Sequence, residues 1–304
     1  MKGFTRVCLI LAGIFACIGV VLAIVGVSMG ASLNQNRSWG GNLPNTVLGW
    51  ISEDENNTEN GEEQIYRYTG EELAGIRNLD VELKAGSLKM MESEEEELRL
   101  AVKAKENQVT CKLTDGTLVI EDTKSHVWFG ITSDWINSGG VEVELYLPKS
   151  MEWKEIDIEV NAGEIEAAEI GLKTERAELN VDAGTLKLDG LIVTEHLAAE
   201  VGAGEVQLSN LDANTLDLEC GMGEMNIDGK ASGDIVADCG MGELNLTIED
   251  QMESFNYRIS CGMGDVKMGN KSYTSFGKKN ALDNQADKTM KLDCGMGEIN
   301  INYK

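Results

Sequence analysis

Four cysteines recur in near-identical phrases: Cys220-Gly-Met-Gly-Glu, Cys239-Gly-Met-Gly-Glu, Cys261-Gly-Met-Gly-Asp and Cys294-Gly-Met-Gly-Glu. Thiols at repeated positions can pair as disulfides, hold a metal or fill a core. The chelating spacing C-x-x-C is absent, and thiols on one line suit a tetrahedral metal poorly. Stacked parallel strands bring neighbouring Cα atoms to about 4.8 Å, within disulfide range, but aim their Cβ bonds the same way. The expectation is a ladder of free thiols filling the interior, with one or two disulfides as the alternative.

An acid follows the second glycine of nearly every such phrase: Glu164, Glu205, Glu224, Glu243, Asp265 and Glu298. Like charges one rung apart lie within the Debye length of roughly 8 Å, so they splay into water or share cations. Calcium takes about six to eight oxygens, which makes this column the candidate metal site and calcium the candidate cofactor. The glycine-rich nonapeptide of calcium β-rolls is missing, and a solvated acidic face is the favoured reading. Paired carboxylates also cleave glycosides. Here acids recur in every repeat without a unique pair, so no catalytic residue is assigned and an enzyme is not expected. His126 and His196 have no nucleophile pattern around them. The charge reverses once, over 269–288, where Lys271, Tyr273, Phe276, Lys278 and Lys279 form a candidate binding loop or a cap folded over an edge.

The whole chain bounds these readings. It has 304 residues, 52 Asp and Glu against 26 Lys and Arg, and a formal net charge of −26. So acidic a chain is a poor ligand for nucleic acid. A hydrophobic content of 42% argues against wholesale disorder, and 34 glycines without an every-third period exclude collagen.

Val7 to Met29 carries no charge, and its 23 residues make a helix of about 34 Å, enough to span a bilayer core. Lys2 and Arg6 precede it, and the next charge is Arg37. The positive-inside rule then leaves a cytoplasmic stub at 1–6 and puts everything after the helix outside. A cleaved signal peptide is the alternative, although its apolar region is usually shorter. Residues 30–64, asparagine-rich and acidic, read as a tether.

From residue 65 apolar and polar residues alternate, the mark of half-buried strands. Up to 150 the pattern is irregular, and 122–140 interrupts it with Trp128, Phe129 and Trp135. From 151 it repeats. Gly163, Gly184, Gly204, Gly223, Gly242, Gly264 and Gly297 fall 21, 20, 19, 19, 22 and 33 residues apart. A period of about 20 marks a solenoid. Three residues before each glycine stand Val160, Val181, Val201, Cys220, Cys239, Cys261 and Cys294; one before stand Ala162, Ala183, Ala203, Met222, Met241, Met263 and Met296. Both columns are apolar, and both are expected to face inward, with Val beside Ala and Cys beside Met holding the interior volume constant. The last strand ends at Lys304, so the C-terminal edge is expected to be open and a place for self-association.

The phrase Val143-Glu-Leu-Tyr-Leu-Pro148-Lys-Ser, followed by repeated Ala-Gly-Glu and Cys-Gly-Met-Gly-Glu turns, resembles the adhesin-labelled β-strand-repeat family of bacterial envelope proteins, DUF4097, in which the word adhesin is itself an inference. The resemblance runs over roughly 65–304 and is strongest from 141. It implies a β-solenoid in an envelope protein and carries over no catalytic residue. The expectation is therefore an all-β, parallel β-solenoid over 65–304, preceded by one transmembrane helix. Its expected role is a non-catalytic, adhesin-like or envelope-stress interaction module at the cell surface. Its partners would be the membrane and an envelope protein or glycan.

Overall fold

The computed structural model describes residues 63–104, 108–123, 141–168, 170–273 and 279–304. The expected membrane segment 7–29, the expected tether up to residue 62, the aromatics Trp128, Phe129 and Trp135, and His126, Phe276 and Lys278 lie outside them. The first strand opens at Glu63, two residues earlier than the alternation suggested.

The described chain is strand almost throughout. β1 (Glu63–Tyr68) and a short helix α1 (Gly70–Gly75) lead into β2 (Asn78–Leu83), β3 (Ser87–Ser93), β4 (Leu98–Lys103), β5 (Val109–Thr114), β6 (Thr117–Asp122) and β7 (Glu142–Pro148). The regular part comprises β8 (Glu152–Val160), β9 (Glu164–Ala167), β10 (Lys173–Val181), β11 (Thr185–Asp189), β12 (Ile192–Val201), β13 (Glu205–Cys220), β14 (Glu224–Ala231), β15 (Ile235–Cys239) and β16 (Glu243–Ile248). It closes with β17 (Phe255–Cys261), β18 (Asp265–Met268), β19 (Lys271–Tyr273), β20 (Lys279–Leu282), β21 (Lys288–Cys294) and β22 (Glu298–Tyr303).

Apart from β6 and β7, each rung is one strand, a three-residue turn and a second strand, and rungs stack in parallel register. Val160 pairs with Val181, Val181 with Val201, Val201 with Cys220 and Cys220 with Cys239. Alternation puts every second side chain inside, and Ile158, Leu179, Leu218, Leu244 and Ile299 are fully buried. The outcome is the parallel β-solenoid that the columns predict, an open sheet rather than a barrel.

The order of rungs differs from the order of sequence at both ends. β15 and β16 pair with β21 and β22, and these in turn pair with β17 and β18. The last rung of the chain is thus wedged between the two that precede it. At the other end β2 and β3 lie between β6 and β7 on one side and β8 and β9 on the other. Both outermost rungs are covered by antiparallel strands: β5 lies on β6 and β4 on β7, while β20 lies on β17 and β19 on β18. β22 is therefore paired on both sides, and the open C-terminal edge expected from the sequence is not there. β19 and β20 supply the cap instead.

A side-chain cluster fixes the wedge. Lys288 Nζ, at the start of β21, reaches Asp250 Oδ2 at 2.6 Å and the Ala231 carbonyl at 3.1 Å, and lies 4.3 Å from the Phe255 ring centroid. Asn256 donates to the Ala286 carbonyl at 2.6 Å, and Asn284 donates to the Phe255 carbonyl at 2.7 Å. Burial works against ionisation of Asp250, but Lys288, Ser254 and the Gln251 amide outweigh it and bring the carboxyl down to about 2.

Candidate binding groove along the turn edge

The turn between the two strands of a rung is held by its neighbour. Met241 N–H donates to the Gly221 carbonyl at 2.7 Å, and Glu243 N–H to the Gly223 carbonyl at 3.0 Å; Met296 and Glu298 repeat the pattern on Gly240 and Gly242. This packing leaves no room at the second glycine. A Cβ on Gly242 would sit 2.3 Å from the Gly223 oxygen, and one on Gly297 2.3 Å from the Gly242 oxygen. Close backbone approach, rather than a left-handed φ, demands glycine here.

The turn also sorts the sulfurs. Cys220, Cys239, Cys294 and Cys261 are buried free thiols, as expected, and each donates to the carbonyl of its own turn, from Cys261 to Gly264 at 2.9 Å up to Cys239 to Gly242 at 3.2 Å. Burial and the flanking thiols Cys239 and Cys261 push Cys294 up to about 12. A hydrogen bond with Cys239, together with burial, raises Cys220. The methionines do the opposite of what their column suggested. Met222, Met241, Met296 and Met263 are 39, 41, 53 and 66% exposed. Their amides face the neighbouring rung, which turns the side chains outward. The paired change from Val and Ala to Cys and Met therefore does not conserve interior volume. It converts a plain turn edge into a thioether stripe.

Beside that stripe runs the carboxylate column, in the spatial order Glu205, Glu224, Glu243, Glu298, Asp265. Glu164 lies further along it, across Thr185. A third column, missed in the sequence although its offset from the acids is constant, is amide: Asn226, Asn245 and Asn300. Asn245 donates to Asn226 at 3.0 Å and Asn300 to Asn245 at 2.8 Å. The same amides serve the acids, with Asn226 on Glu224 at 2.8 Å and Asn245 on Glu243 at 3.0 Å. Lys267 sits 2.6 Å from Glu298 and Lys187 3.4 Å from Glu164. Lys267 first, then Asn300, lowers the Glu298 carboxyl below its ordinary range. Among the described residues no group of three or more His, Cys, Asp or Glu side chains is placed to hold a metal ion.

Stripe and acids together line a shallow groove of about 720 Å³, from Ala203 to Asp265 across the five rungs. Of the proposed binding loop, Lys271 is exposed and Tyr273 half-buried on β19, and Lys279 opens β20; these three serve the cap strands. His196 is a surface-strand residue whose Nδ1 lies 2.9 Å from the Thr215 hydroxyl.

The profile of the Toastrack DUF4097 family matches residues 76–302. The chain belongs to that family. Among the described residues its match takes in eight of nine rungs whole and all but the end of β22 in the ninth. No curated protein matches the Toastrack chain. Among solved structures it is similar to a Clostridium sporogenes protein provisionally named for cell adhesion, at 16% identity over 80% of this chain and 99% of that one, with a TM-score of 0.35. A provisionally named adhesin of Bacteroides fragilis matches at 15% identity over 79 and 97%, with a TM-score of 0.42. A Parabacteroides distasonis protein provisionally named as lipid binding matches at 15% over 79 and 97%, with a TM-score of 0.43.

Proposed function

We propose that this chain is a non-catalytic interaction module held outside the cell by its N-terminal apolar segment, and that it works by docking a partner along the turn edge. The observation that carries this reading is the exposed methionine stripe running in register beside the carboxylate column. Water-facing apolar side chains repeated over four rungs are costly to leave bare and mark an interaction surface. Regular acids, of which Glu164, Glu224, Glu243 and Glu298 are held by an asparagine or lysine, suit a charged rim better than a reaction centre, which needs a unique set of groups at one point. The uncharged run from Val7 to Met29 supports the anchor.

The test uses the full chain in phosphatidylcholine nanodiscs, incubated with isolated bacterial envelopes. Saturable binding with no soluble glycan or peptide released is expected. Sustained release of such fragments would sink the non-catalytic reading, and the absence of saturable binding would sink the module.

A further inference from the structure

We infer that the groove takes one basic amphipathic helix of a partner protein, laid along the solenoid axis; this inference rests on the interaction-module reading above. Three features of the groove choose this occupant. First, its apolar wall is methionine on four of its five rungs, with Ala203 on the fifth, and methionine is a long and adaptable side chain that moulds to varied apolar partners. Second, its other wall is the carboxylate row Glu205, Glu224, Glu243, Glu298 and Asp265, on a chain of net charge −26, so the complementary partner carries Lys or Arg beside its apolar face. Third, the amides of the turns are already donated to neighbouring rungs, from Met222 on Gly202 at 2.6 Å to Met263 on Gly295 at 2.7 Å. An extended peptide cannot add itself to these turns as a strand, which leaves recognition to side chains.

Spacing supports a helix. Rungs repeat about every 4.8 Å, and a helix repeats about every 5.4 Å. One helical turn thus meets one rung. Over the three steps from Met222 to Met263 the mismatch accumulates to about 2 Å, within reach of a methionine side chain. Apolar residues at i, i+4 and i+7 or i+8 of the partner would each meet a methionine, and flanking cations would meet the acids.

The probe is a synthetic helix of about 14 residues with leucines on one stripe and lysines around it, measured by fluorescence anisotropy against the full chain in neutral nanodiscs, with empty nanodiscs subtracted. A pentalysine peptide serves as a charge-only probe. Replacing Met241→Ser and Met296→Ser together removes the middle of the stripe at exposed sites and is expected to leave the melting temperature unchanged while weakening the helix at least about tenfold. Glu243→Gln with Glu298→Gln is expected to weaken it similarly and to flatten its salt dependence. Unchanged helix affinity in the serine variant, or pentalysine binding as tightly as the helix, overturns the inference. Envelope binding measured on the same serine variant keeps the two ideas apart: if it persists while the helix probe fails to bind, the module stands and this occupant is wrong.

Discussion

At the scale of single residues, the turn separates two glycines that look equivalent in the phrase Cys-Gly-Met-Gly-Glu. A Cβ on Gly242 would meet a carbonyl oxygen at 2.3 Å, whereas one on Gly240 would meet its nearest neighbour at 3.0 Å. Gly242→Ala is therefore expected to cost about 1–3 kcal/mol, in line with overpacking elsewhere, and Gly240→Ala clearly less. Urea melts of the two variants check the order. The thiols make a second residue-scale prediction. The four column thiols are 0–3% exposed, out of reach of a reagent in water, and burial first, then the flanking thiols, pushes Cys294 up to about 12. Alkylation of Cys220, Cys239, Cys261 and Cys294 is expected to be slow in the native chain and fast in denaturant. Mass spectrometry after timed labelling reads this directly.

At the scale of elements, the wedge of β21 and β22 is the feature to test. Asp238 pairs with Asp293 across adjacent rungs, and Asp293 with Ser260, so Asp238 and Ser260 are two rungs apart. With cysteines at these outward positions, Asp238→Cys with Asp293→Cys is expected to cross-link through a short reagent, across about 4.8 Å. Asp238→Cys with Ser260→Cys is expected to resist it, across about 9.6 Å. The reverse result would mean that rungs stack in sequence order. The columns of Val160, Val181, Val201 and the four cysteines were legible in the sequence, because alternation and a constant offset from glycine define them. The rung order was not read, because the cysteine and methionine columns are the same in all three rungs; only outward positions distinguish them, where Asp238, Glu243 and Asn245 match Asp293, Glu298 and Asn300 and not Ser260, Asp265 and Lys267. Only the long spacing to Gly297 hinted at the cap strands between them. The methionine column misled for a different reason. Apolar residue type signals burial only while the chain stays in a strand, and at the turn the amide bonds to the next rung decide which way a side chain points. The groove was thus half visible: its acids were read correctly as outward, and its apolar wall was assigned to the core.

At the scale of the whole molecule, acids stacked one rung apart make stability depend on pH in two opposing ways. Burial, then the neighbouring carboxylates, holds Asp157 and Asp238 above the ordinary range. Such groups bind their protons more tightly folded than unfolded, so their contribution to stability grows as pH falls from neutral through their folded range. Asp250 acts in the other direction. Its folded value of about 2 lies below the unfolded one, so the stability it contributes is present above about pH 4 and is lost as pH falls toward 2. Glu298, lowered by Lys267, adds to the same loss. The melting temperature is therefore expected to rise on acidification from neutral pH and to fall again as pH drops from about 4 toward 2. Asp250→Asn is expected to blunt the acid fall and leave the neutral-side rise in place. Salt screens the same repulsion, so raising ionic strength at pH 7 is expected to increase the melting temperature, and calcium to do no more than magnesium at equal concentration. A calcium-specific rise would instead show that the column of Glu164, Glu205, Glu224, Glu243, Asp265 and Glu298 binds the ion in the folded state, because a ligand of the folded state stabilises it by mass action. In that case calcium and a basic helix would compete for the same carboxylates, and calcium would weaken the helix probe more than magnesium does.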